Sequence, residues 1–142
     1  MPSTLGLVAR YVIDAPTLLH LIDNDLPVDP QHQLVAPNSI RSEALELLLH
    51  DVREGRRTEK AALQVHERVT EQKMRLLGDR VSRGTAWKLA RERDWGTLRD
   101  AEYLAVTRLQ ADALVTVDPH LAGKAENVVE LATLDALLRP DG

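Results

Sequence analysis

The stretch from Thr97 to Leu121, TLRDAEYLAVTRLQADALVTVDPHL, does most to limit what this chain can fold into. Leu98, Ala101, Leu104, Ala105 and Leu109 recur at helical spacing, which predicts a helix. Thr97 and Asp100 form a T-x-x-D start, where a hydroxyl and a carboxylate can satisfy the free N–H groups of a first turn. After the short turn Gln110-Ala111-Asp112 comes Ala113-Leu114-Val115-Thr116-Val117, a buried-strand run that ends on Asp118. Open α/β sheets place their chemistry at such strand ends.

The same alternation runs along the rest of the chain. After a loose lead-in at Met1 to Leu5, Arg10-Tyr11-Val12-Ile13 reads as a short strand, starting as early as Leu7 and ending on Asp14. Pro16 suits the first turn of a helix carried by Leu18, Leu19, Leu21 and Ile22. Residues 24–32 are Pro- and Asp-rich and read as a loop. Gln33-Leu34-Val35-Ala36 is the next strand, and Pro37-Asn38-Ser39 opens a helix to about Glu54, stopped by Gly55. Helices are expected over 58–77, with Gly78 as the stop, and over 82–93, before a turn at Asp94-Trp95-Gly96. A helical turn at 119–122, a last strand at 127–131 and a short helix at 133–138 complete the reading. No two strands are hairpin-spaced, so the pattern implies a parallel sheet with helical crossovers on both faces. The expected unit is one α/β domain over 1–142.

Composition removes many functions. The chain has no Cys, which excludes disulfides, thiolate zinc sites and cysteine nucleophiles together. It has no Phe and 3% aromatics, so the core must be Leu, Val, Ala and Ile, and stacking of bases on aromatic platforms is disfavoured. Trp87 and Trp95 read as core or interface anchors. No apolar run approaches the roughly 20 residues of a membrane span, and no signal-peptide core is visible; the expectation is a cytoplasmic protein. The five histidines show no i,i+4 pair or H-E-x-x-H spacing, phosphate-binding glycine loops are missing, and no G-x-S-x-G elbow occurs. The net charge of −4 conceals a basic segment. Residues 73–93 carry Lys73, Arg75, Arg80, Arg83, Lys88, Arg91 and Arg93 against Asp79 and Glu92. Such a cluster is either an electrostatic footprint for a polyanion or a solvated helix face.

Four acids stand at corresponding places. Asp14 and Asp118 leave strands, Glu43 lies in the helix after the second strand, and Asp100 opens the helix before the last acid. In a parallel sheet all strand C-termini share one edge, so acids scattered in sequence can converge. Glu43 falls between Ile40 and Leu47, beside the apolar stripe of Ile40, Ala44, Leu47 and Leu48, whereas Glu46 shares the outer side with Ser42 and His50. A carboxylate facing a core needs a cation, either an Arg or a metal ion. Helix capping is the simpler role for Asp14, Asp100 and Asp118. Clustered together, the four suit Mg²⁺ or Mn²⁺, which prefer oxygen ligands and can activate water and steady the leaving oxygen of a phosphodiester. Setting the four acids aside leaves the chain formally neutral, so the basic segment meets no opposing field.

On the segments YVIDAPTLLHLI, APNSIRSEALELLL, LRDAEYLAVTRLQADALVTVD and NVVELAT, the chain resembles the PIN-domain ribonucleases, most closely the VapC-type toxins of toxin–antitoxin pairs. The resemblance spans nearly the whole chain, with 55–93 the least diagnostic part. It implies a three-layer α/β/α sandwich around a parallel sheet and an acidic pocket that binds Mg²⁺ or Mn²⁺ and cleaves RNA. It carries the metal and catalytic roles to Asp14, Glu43, Asp100 and Asp118. Thr116 matches a hydroxyl two places before the last acid, where it could orient that carboxylate. Also implied are a homodimer and a cognate antitoxin that inserts a segment into the active groove. One departure bears on the site: the small hydroxyl residue usual two places after the first Asp is Pro16 here, with Thr17 next. That change weakens the expected support of Asp14 and keeps open an alternative, a catalytically weak PIN-like module that binds RNA or protein. A generic α/β domain with capping acids and no metal is the third reading.

Overall fold

In the computed structural model, described over residues 8–140, the chain alternates as the sequence implies. The order is β1 (Arg10–Ile13), α1 (Ala15–Asp23), β2 (Gln33–Pro37), α2 (Ile40–Arg53), α3 (Glu59–Glu71), β3 (Arg75–Leu77), α4 (Arg80–Arg93), α5 (Arg99–Gln110), β4 (Ala113–Val115), α6 (Pro119–Ala125) and α7 (Leu134–Leu137). The lead-in at Met1 to Leu5 and the early strand start at Leu7 lie outside the described residues.

The strands form one parallel sheet in the order β3-β2-β1-β4. Its central strands are apolar because both faces are covered: Val12, Ile13, Leu34, Val35, Leu114 and Val115 are all buried. Helix α5 packs on β1, β2 and β4 and carries α4 against it, while α1, α2 and α3 pack on one another. The buried side chains join into one core of aliphatic residues plus Tyr103. Parallel order puts the C-terminal ends of β1, β2, β3 and β4 along a single edge, from which α1, α2, α4 and α6 start.

Several expectations change in detail. The helix expected over 58–77 stops at Glu71, and Arg75–Leu77 pairs with Val35, Ala36 and Pro37 as an edge strand. Three residues are too few to show a period of two, so the periodicity of α3 masked this strand. Gly78 ends β3 rather than α3, because a Cβ there would collide with the side chain of Asn38, whose N–H donates to Leu77 O at 2.9 Å. The last strand contracts to one parallel bridge, Leu131 with Leu114. Asn127 just before it turns the backbone at φ +65°, which a strand cannot contain. Helix α5 begins at Arg99 behind Leu98 with no side-chain cap, so Thr97 and Asp100 do not form the expected start. Asp100 points instead into the cleft described next.

Candidate active site

All four acids singled out in the sequence line one cleft of about 190 Å³ at the C-terminal edge of the sheet, together with Pro16, Glu46, Leu47, Arg99, Tyr103 and Leu121. Larger depressions at 30–34 with 72–75, and between α2 and α3, gather no such acids.

Asp14 is the best-held member. It leaves β1 buried, 4% exposed, and caps α1 by accepting from Thr17 N at 3.3 Å. The Thr17 hydroxyl donates to the same oxygen, and Thr116 Oγ1 donates to the other at 2.9 Å. Burial pushes the Asp14 carboxyl above its ordinary range, with these hydrogen bonds opposing the shift. The two threonines also tie β4 to β1. Val117 N donates to Thr17 Oγ1 at 3.0 Å and Asp118 N to Thr116 Oγ1 at 3.0 Å. Thr116 therefore orients the carboxylate of Asp14, and reaches Asp118 only through its backbone. Thr17, one place beyond Pro16, supplies the support whose loss the sequence suggested, while Pro16 sits in the first turn of α1, where a proline costs no hydrogen bond.

Glu43 sits half-buried on α2. Its Oε1 accepts from Tyr103 Oη at 2.9 Å and its Oε2 from Ser39 Oγ at 2.5 Å. The arginine the sequence allowed as its partner is not there; a buried phenol takes that place, its pKa raised by burial and then by the charge of Glu43. Ile40, Ala44 and Leu48 form the buried stripe, and Leu47 is 37% exposed at the cleft. Glu46, assigned by spacing to the outer side, lines the cleft as well, one turn on from Glu43. Glu102 also feels Glu43: burial, then that neighbouring charge, raises its carboxyl.

Asp100 is 7% exposed and ion-paired. Lys124 Nζ on α6 donates to its Oδ2 at 2.9 Å, and Arg99 Nε lies 3.7 Å from Oδ1. The same ammonium stands over the ring of Trp95, 5.0 Å from its centroid. Asp118 caps α6, accepting from His120 N at 2.9 Å; the exposed imidazole of His120 is not a cleft-lining group. Capping is thus real for Asp14 and Asp118, and it leaves their remaining oxygen lone pairs facing the cleft.

Sequence reasoning missed Thr17, Tyr103, Glu46 and Lys124. Thr17 and Tyr103 each lie three residues from a proposed acid in sequence, a weak signal. Nothing local marks Lys124, which reaches Asp100 only because α6 folds beside α5.

Chemically, the donor set is all oxygen, and among the described residues Asp14, Glu43 and Asp118 enter no salt bridge. That suits a hard divalent cation in kind. The groups do not form a closed cage: no three acidic or imidazole side chains among the described residues already converge as a metal-binding group. A cation taking Oδ2 of Asp100 would displace Lys124.

The architecture defines the class: a three-layer α/β/α, PIN-like fold with acids at the sheet edge. Two solved structures share it. PAE2754 from Pyrobaculum aerophilum is similar over 92% of this chain and 94% of its own, with a TM-score of 0.68 and 22% identity. VapBC-1 from nontypeable Haemophilus influenzae is similar over 87% of this chain and 97% of the matched chain, with a TM-score of 0.60 and 15% identity. No protein-family model and no curated protein matches the sequence. No helix among the described residues is long and apolar enough to cross a membrane.

Proposed function

We propose that this chain is a divalent-metal-dependent endoribonuclease, the toxin component of a toxin–antitoxin pair, which hydrolyses RNA phosphodiesters. The observation that carries the reading is the convergence of Asp14, Glu43, Asp100 and Asp118, from four different elements, on one cleft. Three of them have hydroxyl or backbone N–H partners in place of cations.

Asp14, Glu43, Asp100 and Asp118 would hold Mg²⁺ or Mn²⁺. Such an ion supplies charge neutralisation at the phosphodiester and a water of lowered pKa. The protein's own work is positional. Thr17 and Thr116 fix both oxygens of Asp14, Tyr103 and Ser39 fix Glu43, and the cap at His120 fixes Asp118. An ion at Asp100 Oδ2 would free the Lys124 ammonium that now donates to it at 2.9 Å, making it available to a phosphate oxygen. Lys73 and the arginines of the basic segment are all exposed and give contacts to the RNA backbone that hold without specifying sequence.

The likeness to VapBC-1 supports an antitoxin as protein partner, and the family resemblance supports a homodimer. The test is RNA cleavage with Mg²⁺ or Mn²⁺ by the wild type and by Asp100→Asn, alongside calorimetry of metal binding to the wild type and Asp14→Asn. Cleavage and metal binding that vanish in folded variants support the reading; an RNA-binding wild type inert with either metal sinks it. The second reading, a catalytically weak PIN-like module that binds RNA or protein, is favoured by one specific observation. The acids form no ready metal-binding group and Asp100 is already paired. Under that reading Asp100→Asn leaves binding intact.

A further inference from the structure

Helix α4 presents an exposed indole for which the proposed chemistry has no role. Ser82, Ala86, Leu89 and Ala90 bury one side of it, where it packs on α5. On the other side Trp87 is 60% exposed. At helical spacing, Arg83 lies one turn before Trp87, Arg91 one turn after and Arg80 two turns before. All three arginines are exposed, and none is in a salt bridge among the described residues. Gly84, three residues before Trp87, puts no side chain on this part of the helix surface. The indole also lacks a covering cation: the one cation–π contact among the described residues is that of Lys124 on Trp95.

We infer that this face is a platform for single-stranded RNA, on which Trp87 stacks an unpaired base and Arg80, Arg83 and Arg91 hold the flanking phosphates. The inference deepens the nuclease reading and rests on it for the choice of RNA. An exposed ring set among exposed guanidinium groups that enter no salt bridge is the combination that grips single strands, because every base has a stacking face and every link a phosphate. A duplex keeps its bases inside and offers the indole nothing to stack on. Self-association across this face is disfavoured by charge: a twofold pairing would bring two copies of the same basic face, with Arg80, Arg83 and Arg91, together. The platform helix packs on α5, the helix that carries Asp100. Helix α4 starts at the C-terminal sheet edge just beyond Gly78, and Arg83 donates Nη1 to Gly78 O at 2.5 Å. The 3% aromatic content argued against base stacking, yet one exposed ring in the right charge setting is enough.

The experiment uses a Trp95→Phe protein, so that Trp87 alone reports, with a 2′-O-methyl oligonucleotide in EDTA to exclude cleavage. Single-stranded oligonucleotide should quench Trp87 fluorescence, and its duplex form should not. Trp87→Ala should weaken binding about tenfold, the scale of one stacked base, and Trp87→Phe should recover most of it. Arg83→Gln with Arg91→Gln should lower the salt-dependence slope by about 1.4, at about 0.7 per phosphate contact. Circular dichroism checks the fold. Unquenched fluorescence with binding unchanged in Trp87→Ala overturns the platform, as does a dimer or an acidic protein partner that Trp87→Ala releases while RNA affinity stays the same. Quenching and weakened binding in a protein that cleaves no RNA with metal uphold the platform and reject the nuclease reading.

Discussion

Lys124→Met tests how the cleft balances its charge. The substitution keeps an apolar stem of similar length but removes the ammonium 2.9 Å from Asp100 Oδ2. Breaking a fully buried ion pair costs about 3–5 kcal/mol, and an exposed pair is worth roughly 0–1 kcal/mol. Here the side chains of Lys124 and Asp100 are 21% and 11% exposed, so the pair belongs nearer the buried limit. Arg99 at 3.7 Å remains as a partial substitute, weakened because its side chain is 65% exposed. The balance is a loss of about 2 kcal/mol. For a domain of this size that lowers the melting temperature by roughly 8 °C. The metal dependence should run the other way. A divalent cation taking Asp100 Oδ2 in the wild type would break the Lys124–Asp100 pair, whereas in the variant it meets a carboxylate already in need of one. The same 2 kcal/mol then reappears as tighter Mn²⁺ binding, about thirtyfold at about 1.4 kcal/mol per factor of ten. At a hundred times its dissociation constant the ion would restore about 2.7 kcal/mol, more than the mutation removed. Scanning calorimetry with and without Mn²⁺, and a Mn²⁺ titration at fixed pH, read both quantities. A variant that melts with the wild type refutes the energetic role of the pair. One that melts lower yet binds Mn²⁺ no more tightly refutes the competition between Lys124 and the metal at Asp100.

Three further outcomes follow from the same geometry. Thr17→Val removes the hydroxyl that serves Asp14 and leaves Val117 N–H without its 3.0 Å acceptor; urea denaturation should show a loss of about 1–3 kcal/mol, recovered by Thr17→Ser. Gly78→Ala should cost about 1 kcal/mol or more by forcing the Asn38 side chain aside, and the cost should shrink in a Gly78→Ala/Asn38→Ala double variant. The pH dependence has two opposed parts. Hydrogen bonds from Arg57 chiefly hold the Asp51 carboxyl below its ordinary 3.8, so its stabilisation is complete above that pH and is lost as the pH falls towards the lower folded value. Asp14, raised above 3.8 by burial, acts in the opposite sense: the metal-free protein gains stability as the pH falls through its folded pKa. Carboxyl NMR titration should therefore place Asp14 above Asp51, Asp51→Asn should flatten the acid-side loss, and Mg²⁺ should pull the Asp14 value down. An Asp14 that titrates below Asp51 without metal contradicts this account.

The chain determined its alternation of strands and helices, because short apolar runs and helical stripes are local signals. Val12-Ile13 and Leu114-Val115 are apolar for the two covered faces they now occupy, and Pro16 and Gly55 mark helix boundaries by their own conformational limits. The four acids were legible too, since parallel topology alone sends Asp14, Glu43 and Asp118 to one edge. Local rules misread places where a distant partner outweighs them. Arg75–Leu77 is a strand because β2 has a free edge to pair with, and 127–131 is nearly not one because the backbone turns at Asn127. Thr97 does not cap α5, and Asp100 pairs with Lys124 of α6 rather than with the N–H groups of its own first turn. Only the tertiary structure decided the distant partners of Asp14, Glu43 and Asp100. Thr116 and Asp14, and Tyr103 and Glu43, are far apart in sequence and meet across elements, so no pattern within a helix or strand could pair them.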